Sequence, residues 1–194
     1  MTNISSLCVF CGSRLGADPA YEVAARRLGE IMLERKIKLV YGGGGIGLMG
    51  VVADTVADGG GEVIGVIPKF LEEREVGKKD VNEFIVTDNM HSRKNKMFEL
   101  SDGFVSLPGG LGTLDETFEI MTWKQLRVHA KPIVMLNVKG YWSGFQRLID
   151  DTINGGFASD TARDLIHVVE TPEHVFDALD AAPQPTVIDQ SDYL

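Results

Sequence analysis

The residues most suited to chemistry lie in a glycine-rich segment from Ser106 to Met121, SLPGGLGTLDETFEIM. The glycines after Pro108 lack the Cβ atoms that would keep an anion away from the backbone. A helix is predicted to start inside the segment, and the first N–H groups of a helix have no partner within it and favour negative charge. The pattern therefore predicts a phosphate site on the loop from Gly109 to Thr113, with the Thr113 hydroxyl as a further donor.

Glu116, three residues after Thr113, allows two interpretations. With Thr113 as N-cap, the two would form a capping box, which only stabilises the helix. One turn into a helix that holds a phosphate, the Glu116 carboxylate could instead reach the sugar of a ligand. A capping box does not require three glycines, so the glycine loop favours a ligand site. Glu119 and Thr122 follow on the same helix face, either as part of that site or as a solvated stripe.

A basic cluster precedes this segment, in NMHSRKNKM from Asn89 to Met97. The whole chain carries 19 basic and 28 acidic residues, a formal net charge of −9, so an anionic ligand would need a local positive site. Arg93 and Lys94 are candidates, because arginine in particular pairs with phosphate or carboxylate in a planar fork. Lys96 is interpreted as part of a solvated helix face, and His91 as structural or as an acid–base group.

A second glycine-rich loop, YGGGGIGLMG from Tyr41 to Gly50, contains G-x-G-x-x-G twice between a predicted strand and a predicted helix. A dinucleotide site also needs an acid at the end of the next strand, where this chain has VIP, with Glu62 at the strand's start. A nicotinamide cofactor is therefore disfavoured. The glycines either form a tight turn or, at Gly43 and Gly44, let a nucleotide approach closely.

Composition excludes several classes of protein. The net charge of −9 argues against non-specific nucleic-acid binding. No apolar run is long enough to span a membrane, and the first residues, MTNISSLCVF, do not resemble a signal peptide, so we expect a cytoplasmic protein. Cys8 and Cys11 form a C-x-x-C, but on a strand they point to opposite faces, which favours buried small hydrophobes over a redox or metal pair. No cluster has metal-ligand spacing.

The elements that must position these residues alternate along the chain. Short apolar runs predict strands at 5–10, 37–42, 62–68, 83–87, 103–108, 132–138 and 166–170. Helical periodicity is found at 20–35, 48–58, 90–101, 112–127, 143–154 and 172–179. This alternation predicts a single α/β domain over residues 1–182, a doubly wound parallel sheet with helices on both faces, followed by a loose tail at 183–194.

The polar segment 69–82 breaks this rhythm and is expected to be an ordered loop over a site. Ligands of such sheets bind outside the carboxyl ends of the strands. The four loops that matter there are CGSRLGADP, GGGGIGLMG, the stretch leading to NMHSRKNKM, and PGGLGTLDE.

Together, CGSRLG, YGGGGIGLMG, MHSRKNKM and PGGLGTLDETFEIMTWKQL closely resemble the Lonely Guy family of cytokinin riboside 5′-monophosphate phosphoribohydrolases, whose bacterial members often carry a lysine decarboxylase-like label. The resemblance covers roughly residues 5 to 182, and the family's P-G-G-x-G-T-x-x-E matches Pro108 to Glu116 at every fixed position. The decarboxylase label fits poorly, because the chain is short for such a pyridoxal enzyme and has no His-Lys dipeptide for a Schiff base.

The resemblance implies a Rossmann-like fold, a homodimer with sites near the subunit interface, and catalysis by Arg93 and Glu116 without metal or cofactor. The implied substrate contacts are Glu75, Lys94, Gly109, Gly110, Leu111, Gly112, Thr113, Leu114, Asp115 and Thr122. The Glu75 assignment lies in a loop, FLEEREVGKKD, that departs from the usual family pattern.

The resulting hypothesis is an enzyme that hydrolyses the N-glycosidic bond of a purine nucleoside 5′-monophosphate, of the N6-modified, cytokinin type. Glu116 would stabilise the charge at the anomeric carbon or orient the water, and Arg93 would position the substrate. The alternative is a non-catalytic nucleotide carrier or sensor on the same fold. The presence of both Arg93 and Glu116 favours the enzyme. The residues leave open whether the base carries an N6 substituent, and whether the role is hormone production or nucleotide salvage.

Overall fold

The computed structural model describes residues 4–72, 77–78 and 80–182. Seven parallel strands form one sheet in the order β4-β3-β2-β1-β5-β6-β7. The strands are β1 (Ser6–Phe10), β2 (Lys38–Tyr41), β3 (Val63–Pro68), β4 (Glu83–Thr87), β5 (Gly103–Ser106), β6 (Ile133–Leu136) and β7 (His167–Val169). The helices are α1 (Ala20–Glu34), α2 (Gly47–Asp58), α3 (Lys69–Glu72), α4 (Met90–Glu99), α5 (Leu111–Gln125), α6 (Ser143–Asn154) and α7 (Glu173–Ala181). The predicted α/β class is confirmed, while the predicted tail lies outside the described residues.

The central strands are almost continuous apolar runs because helices cover both faces of the sheet. Every residue of β1 and β3 is buried. On one face, α1, α2 and α7 pack on an apolar cluster that includes Val9, and on the other face α4, α5 and α6 pack on a cluster that includes Phe10. Cys8 and Cys11 are both buried and belong to opposite clusters, as the strand alternation predicted.

Several elements differ from the sequence-based expectation. The segment after β3, predicted to be an ordered loop over a site, starts with the four-residue helix α3. Two 3-10 turns, Val138–Gly140 and Asp160–Leu165, were also not predicted, because such short turns have no helical periodicity. The helix α5 begins at Leu111 with Gly110 as N-cap, so Thr113 lies within its first turn.

The strand order places a topological switch point between β1 and β5. From β1 the chain continues through α1 to β2 on one side, whereas it returns through α4 to β5 on the other. The loops that leave β1 and β5 therefore diverge, and a crevice opens between them at the carboxyl ends of the strands. In the described part of the chain, no helix is both long and apolar enough to cross a membrane.

Candidate active site

A cavity of about 220 Å³ lies at this switch point. It gathers six of the residues predicted to act on a ligand: Arg93, Gly110, Leu111, Gly112, Thr113 and Glu116. The remaining lining residues are Cys11, Gly12 and Ser13 after β1 and Met49 in α2. The start of α5 and the Arg93–Glu116 pair therefore share one cavity.

Arg93 and Glu116 form a buried ion pair between α4 and α5. The Arg93 Nη1 atom lies 3.2 Å from the Glu116 Oε1 atom, and the two residues are only 5% and 7% exposed. The other guanidinium nitrogens also have partners: Nε donates to the Val66 carbonyl at 3.0 Å and Nη2 to the Gly42 carbonyl at 3.1 Å. The planar fork of Arg93 is thus fixed by β3 and by the first glycine loop, with one edge turned to the Glu116 carboxylate.

Gly42 is required by this arrangement. A Cβ atom at position 42 would collide with the Nη2 atom of Arg93 and would also lie 3.1 Å from the Met49 sulfur. One function of the first glycine loop is therefore to let the arginine approach the backbone, which the sequence alone did not indicate.

The start of α5 is open to the cavity. Gly110 is the N-cap and makes no side-chain cap, so the alternative interpretation, a capping box of Thr113 with Glu116, is wrong. It fails because the helix begins earlier than the polar residues suggested and because Glu116 pairs with Arg93. Within the described chain, the N–H groups of residues 111–113 have no hydrogen-bond acceptor, and all three residues line the cavity. Such N–H groups are suited to an anion.

The loop before α5 is fixed from both sides. The Gly12 N–H donates to the Pro108 carbonyl at 3.1 Å, which ties this loop to the end of β1. At Gly109 a Cβ atom would collide with the Thr113 side chain, so only glycine allows the chain to turn this closely into the helix. The Thr117 hydroxyl donates to the Thr113 carbonyl at 2.7 Å and lies 2.7 Å from the Ser106 hydroxyl, which joins the first turn of α5 to β5.

The first glycine loop does not offer a comparable anion site at α2. The N–H groups of Leu48 and Met49, in the first turn of that helix, both donate to the Gly12 carbonyl, at 3.0 and 3.4 Å. A backbone carbonyl thus occupies the place that a pyrophosphate takes in a dinucleotide site. This observation adds to the missing ribose acid in arguing against a nicotinamide cofactor.

Gly43 and Gly44, predicted to contact the substrate, lie beside the cavity rather than among its described lining residues. The Gly43 carbonyl accepts from the Lys78 N–H at 3.0 Å, and Gly44 forms an isolated antiparallel bridge with Gly77. Both glycines therefore contact the segment that follows α3. Glu75 belongs to the same segment but lies outside the described residues.

Lys94 does not line the cavity but joins α4 to α5. Its Nζ atom lies 2.9 Å from the Glu119 carboxylate and 3.1 Å from that of Asp115. Burial lowers the pKa of Lys94, but the ion pairs with Glu119 and Asp115 outweigh burial, so the pKa is raised overall. Lys94 is therefore held as a cation one residue away from Arg93.

The remaining predicted residues lie at varying distances from the ion pair. Leu114 packs against the apolar cluster under α5, and Gly109 lines a neighbouring cavity together with Tyr141. Thr122 is exposed and donates to the Phe118 carbonyl at 2.7 Å. The stripe of Glu116, Glu119 and Thr122 thus passes from the buried pair to solvent. His91 is exposed on the first turn of α4.

Four residues that line the cavity were not predicted from the sequence: Cys11, Gly12, Ser13 and Met49. Their loops were identified as those that leave strands at the ligand-binding edge, but no chemical group in them suggested a role. Gly12 acts through its backbone N–H and carbonyl, and backbone contacts of this kind leave no side-chain signal in the sequence.

A parallel sheet with helices on both faces and a crevice at its switch point define a Rossmann-like α/β protein. The chain belongs to the family described as "Possible lysine decarboxylase", which it matches over residues 49–179.

The similar proteins are named for a different reaction from the family description. The chain is 47% identical over 174 residues to cytokinin riboside 5′-monophosphate phosphoribohydrolase LOG3 of Arabidopsis thaliana, covering 90% of this chain and 81% of that protein. It is 48% identical over 160 residues to cytokinin riboside 5′-monophosphate phosphoribohydrolase LOG7 of the same plant. This match covers 82% of this chain and 74% of that protein.

Among solved structures, the molybdenum cofactor binding protein of Rippkaea orientalis is similar, with a TM-score of 0.68 and 20% identity over 93% of this chain and 98% of that one. At this identity the likeness shows the fold alone.

Proposed function

We propose that this chain hydrolyses the N-glycosidic bond of a purine nucleoside 5′-monophosphate, of the N6-modified adenosine type, to give the free base and ribose 5-phosphate. The single observation that carries the proposal is one cavity that holds both a buried Arg93–Glu116 pair and the open N–H groups of the α5 start. The close identity to named phosphoribohydrolases supports the same chemistry.

The reaction adds water across the bond between the anomeric carbon and the base nitrogen. As that bond lengthens, the ribose gains positive charge, and a carboxylate beside the anomeric carbon stabilises the oxocarbenium-like transition state. Glu116 is the carboxylate that lines the cavity. It stabilises this charge or orients the attacking water, whose oxygen ends on the ribose while the leaving base takes up a proton.

Arg93 holds Glu116 in place. Three of its nitrogens are bound to the Val66 carbonyl, the Gly42 carbonyl and the Glu116 carboxylate. An arginine stays protonated at neutral pH, so it is a poor proton donor to the leaving base. Its contribution is to position the carboxylate and to keep a positive charge beside the bound nucleotide.

The 5′-phosphate binds at the start of α5. The N–H groups of residues 111–113 supply donors, the helix dipole favours negative charge, and the Thr113 side chain adds a hydroxyl. Because the phosphate does not change during the reaction, this binding energy serves to hold the sugar against Glu116.

A decarboxylase is disfavoured on chemical grounds. A lysine that forms a Schiff base must reach the substrate, whereas no lysine is among the described residues that line the cavity of Arg93 and Glu116. The non-catalytic carrier is also not favoured, because the relatives with close sequence identity are named as hydrolases, whereas the molybdenum cofactor binding protein shares only the fold.

Four further features remain predictions: AMP as a substrate, a homodimer, a cytoplasmic location, and a domain boundary at residue 182. The homodimer can be tested by sedimentation equilibrium of the full chain. A mass near 21.2 kDa, that of one chain, would contradict it.

The proposed activity is tested by comparing N6-isopentenyladenosine 5′-monophosphate with the same nucleoside without phosphate. We expect free base and ribose 5-phosphate in equal amounts from the nucleotide, and at least about 100-fold slower cleavage of the nucleoside, because the loss of phosphate contacts removes positioning energy. Equal rates for the two compounds would contradict the role of the α5 start. Tight nucleotide binding without base release would support the carrier.

A further inference from the structure

Tyr141 lies outside the cavity that holds Arg93 and Glu116, yet it is bound to the glycine loop of that cavity. Its hydroxyl donates to the Gly109 carbonyl at 2.5 Å. We propose that Tyr141 is a positioning residue whose hydroxyl orients the peptide between Gly109 and Gly110 so that its N–H faces the phosphate. This inference rests on the proposed function and adds a residue that neither the motifs nor the cavity lining indicates.

The geometry of the peptide unit carries the argument. In a trans peptide the C=O and N–H groups point in opposite directions, so holding the Gly109 carbonyl directs the Gly110 N–H to the other side. The Pro108 carbonyl is held in the same way by the Gly12 N–H, at 3.1 Å, which fixes the direction of the Gly109 N–H. Among the described residues, neither the Gly109 nor the Gly110 N–H has an acceptor.

The glycine loop that precedes α5 separates two cavities. Tyr141, Gly109 and Gly110 line a larger cavity of about 590 Å³, while Gly110 also lines the cavity of Arg93 and Glu116. The carbonyl that Tyr141 binds therefore faces one side of the loop, and the N–H of the same peptide faces the ligand side. Without the hydroxyl, a peptide between two glycines is free to rotate, because glycine accepts most backbone angles.

Tyr141 is itself held firmly enough to act in this way. Its ring makes edge contacts with Tyr21 and Trp142, with centroids 5.5 and 4.8 Å apart. The backbone N–H of Trp142 donates to the Asn137 Oδ1 atom at 2.7 Å, and the side-chain amide of the buried Asn137 donates to the Glu170 carboxylate at 3.2 Å. A chain of contacts thus runs from the ends of β6 and β7 to the phosphate loop.

A purely structural role would have a different signature. If the hydroxyl only secured the fold, its removal would lower stability without any preference for phosphate-bearing ligands. If it orients the Gly110 N–H, its removal weakens the binding of phosphate and leaves kcat at saturating nucleotide nearly unchanged.

The test is Tyr141→Phe, which keeps the ring and removes the hydroxyl. We expect the Kd for ribose 5-phosphate and for inorganic phosphate, measured by titration calorimetry, to rise about 3- to 10-fold, and KM for the nucleotide to rise similarly. The control is Tyr21→Phe, which loses the hydroxyl of the other ring in the pair. The Tyr21 hydroxyl has no partner among the described residues, so this variant should bind both ligands like the wild type.

The proposal would be overturned if Tyr141→Phe bound phosphate as tightly as the wild type, or if Tyr141→Phe and Tyr21→Phe lost the same amount of phosphate affinity. It would also be overturned if the wild type bound ribose 5-phosphate no more tightly than ribose. The calorimetric comparison needs no turnover, so it separates this inference from the proposed function. If the wild type releases no base, but Tyr141→Phe binds phosphate more weakly than the wild type, only the proposed function is refuted.

Discussion

At the scale of single residues, the Arg93–Glu116 pair is costly to bury. Removing two charges from water costs several kcal/mol each, and their attraction balances this only when hydrogen bonds satisfy the remaining donors. For Arg93 the carbonyls of Val66 and Gly42 meet this condition. An apolar pair would stabilise the fold equally well, so the ion pair is best explained by its chemistry.

Replacing Arg93 with methionine should therefore affect stability as well as activity. Arg93→Met leaves the Glu116 charge buried without its guanidinium, and we expect the free energy of unfolding to fall by about 3 kcal/mol. The double variant Arg93→Met/Glu116→Leu should recover at least half of that loss while remaining inactive. Urea unfolding of both variants checks this, and a double variant no more stable than the single one would contradict the account.

Gly42→Ala should displace the arginine with less effect on the fold. The new Cβ would collide with the end of the Arg93 side chain, which can move, so we expect activity to fall at least about 10-fold with a stability loss of about 1–2 kcal/mol. The matched control is Gly144→Ala in α6, where a Cβ would lie 3.8 Å from its nearest neighbour outside the helix backbone. Base release as fast in Gly42→Ala as in Gly144→Ala would show that Arg93 need not be held by this loop.

At the scale of elements, most of the fold could be predicted from the sequence. The strands are buried apolar runs with glycine or polar residues at their ends, and the helices carry apolar faces, so periodicity located them. The helix ends were harder. The start of α5 was predicted at residue 112, one residue after the observed start at Leu111, and the N-cap Gly110 has no side chain to mark it.

The contacts of the site were harder still to predict. Arg93 and Glu116 were identified by motif, but the carbonyls of Val66, Gly42 and Gly12 act through the backbone, which every residue has. Their roles depend on which strands are neighbours, and that order is set by packing across the whole sheet.

The ion pairs of Lys94 should stabilise the packing of α4 against α5. We expect a double-mutant cycle of Lys94→Gln and Glu119→Gln to show a coupling free energy of about 0.5–1.5 kcal/mol in urea unfolding, since Lys94 is only 12% exposed at its side chain. The exposed pair of Lys96 and Glu99, 3.8 Å apart, is the control and should show coupling below about 0.5 kcal/mol. No coupling for Lys94, together with a raised KM in Lys94→Gln, would show that it serves the substrate instead.

At the scale of the whole molecule, the location of the site follows from the topology. The chain reverses its direction of winding beside β1, so the loops after β1 and β5 separate there and leave room for a ligand. The fold alone does not determine catalysis, because the same fold can carry unrelated functions. In this chain, the catalytic proposal depends on the ion pair placed beside the open helix start.

Stability should fall in mild acid because of His129, which is buried against the rings of Phe98 and Phe104. Its Nδ1 atom accepts from the Lys131 N–H at 3.1 Å, and its Nε2 atom lies 2.9 Å from the Ile120 carbonyl, so the neutral ring is satisfied. Burial, opposed by the hydrogen bond to Ile120, lowers the pKa of His129 from 6.5 to about 4.

The sign of this effect follows from proton binding. Between pH 6.5 and about 4 the unfolded chain binds a proton at His129 that the folded chain does not, so the stability present above pH 6.5 is lost as the pH falls through this range. His129→Gln should be less stable at pH 7 but should lose less stability between pH 6.5 and 4.5. Urea unfolding at several pH values checks this. Parallel pH profiles for the two proteins would contradict the assignment.

The most direct test of the central claim is the release of free base by wild type and by Glu116→Gln. Both proteins are incubated with AMP and with N6-isopentenyl AMP, and the products are separated by chromatography. The account predicts base release by wild type and a loss of at least about 100-fold in Glu116→Gln, while Glu99→Gln, which removes an exposed carboxylate from α4, stays active. Base release at the wild-type rate by Glu116→Gln would contradict the role of this carboxylate.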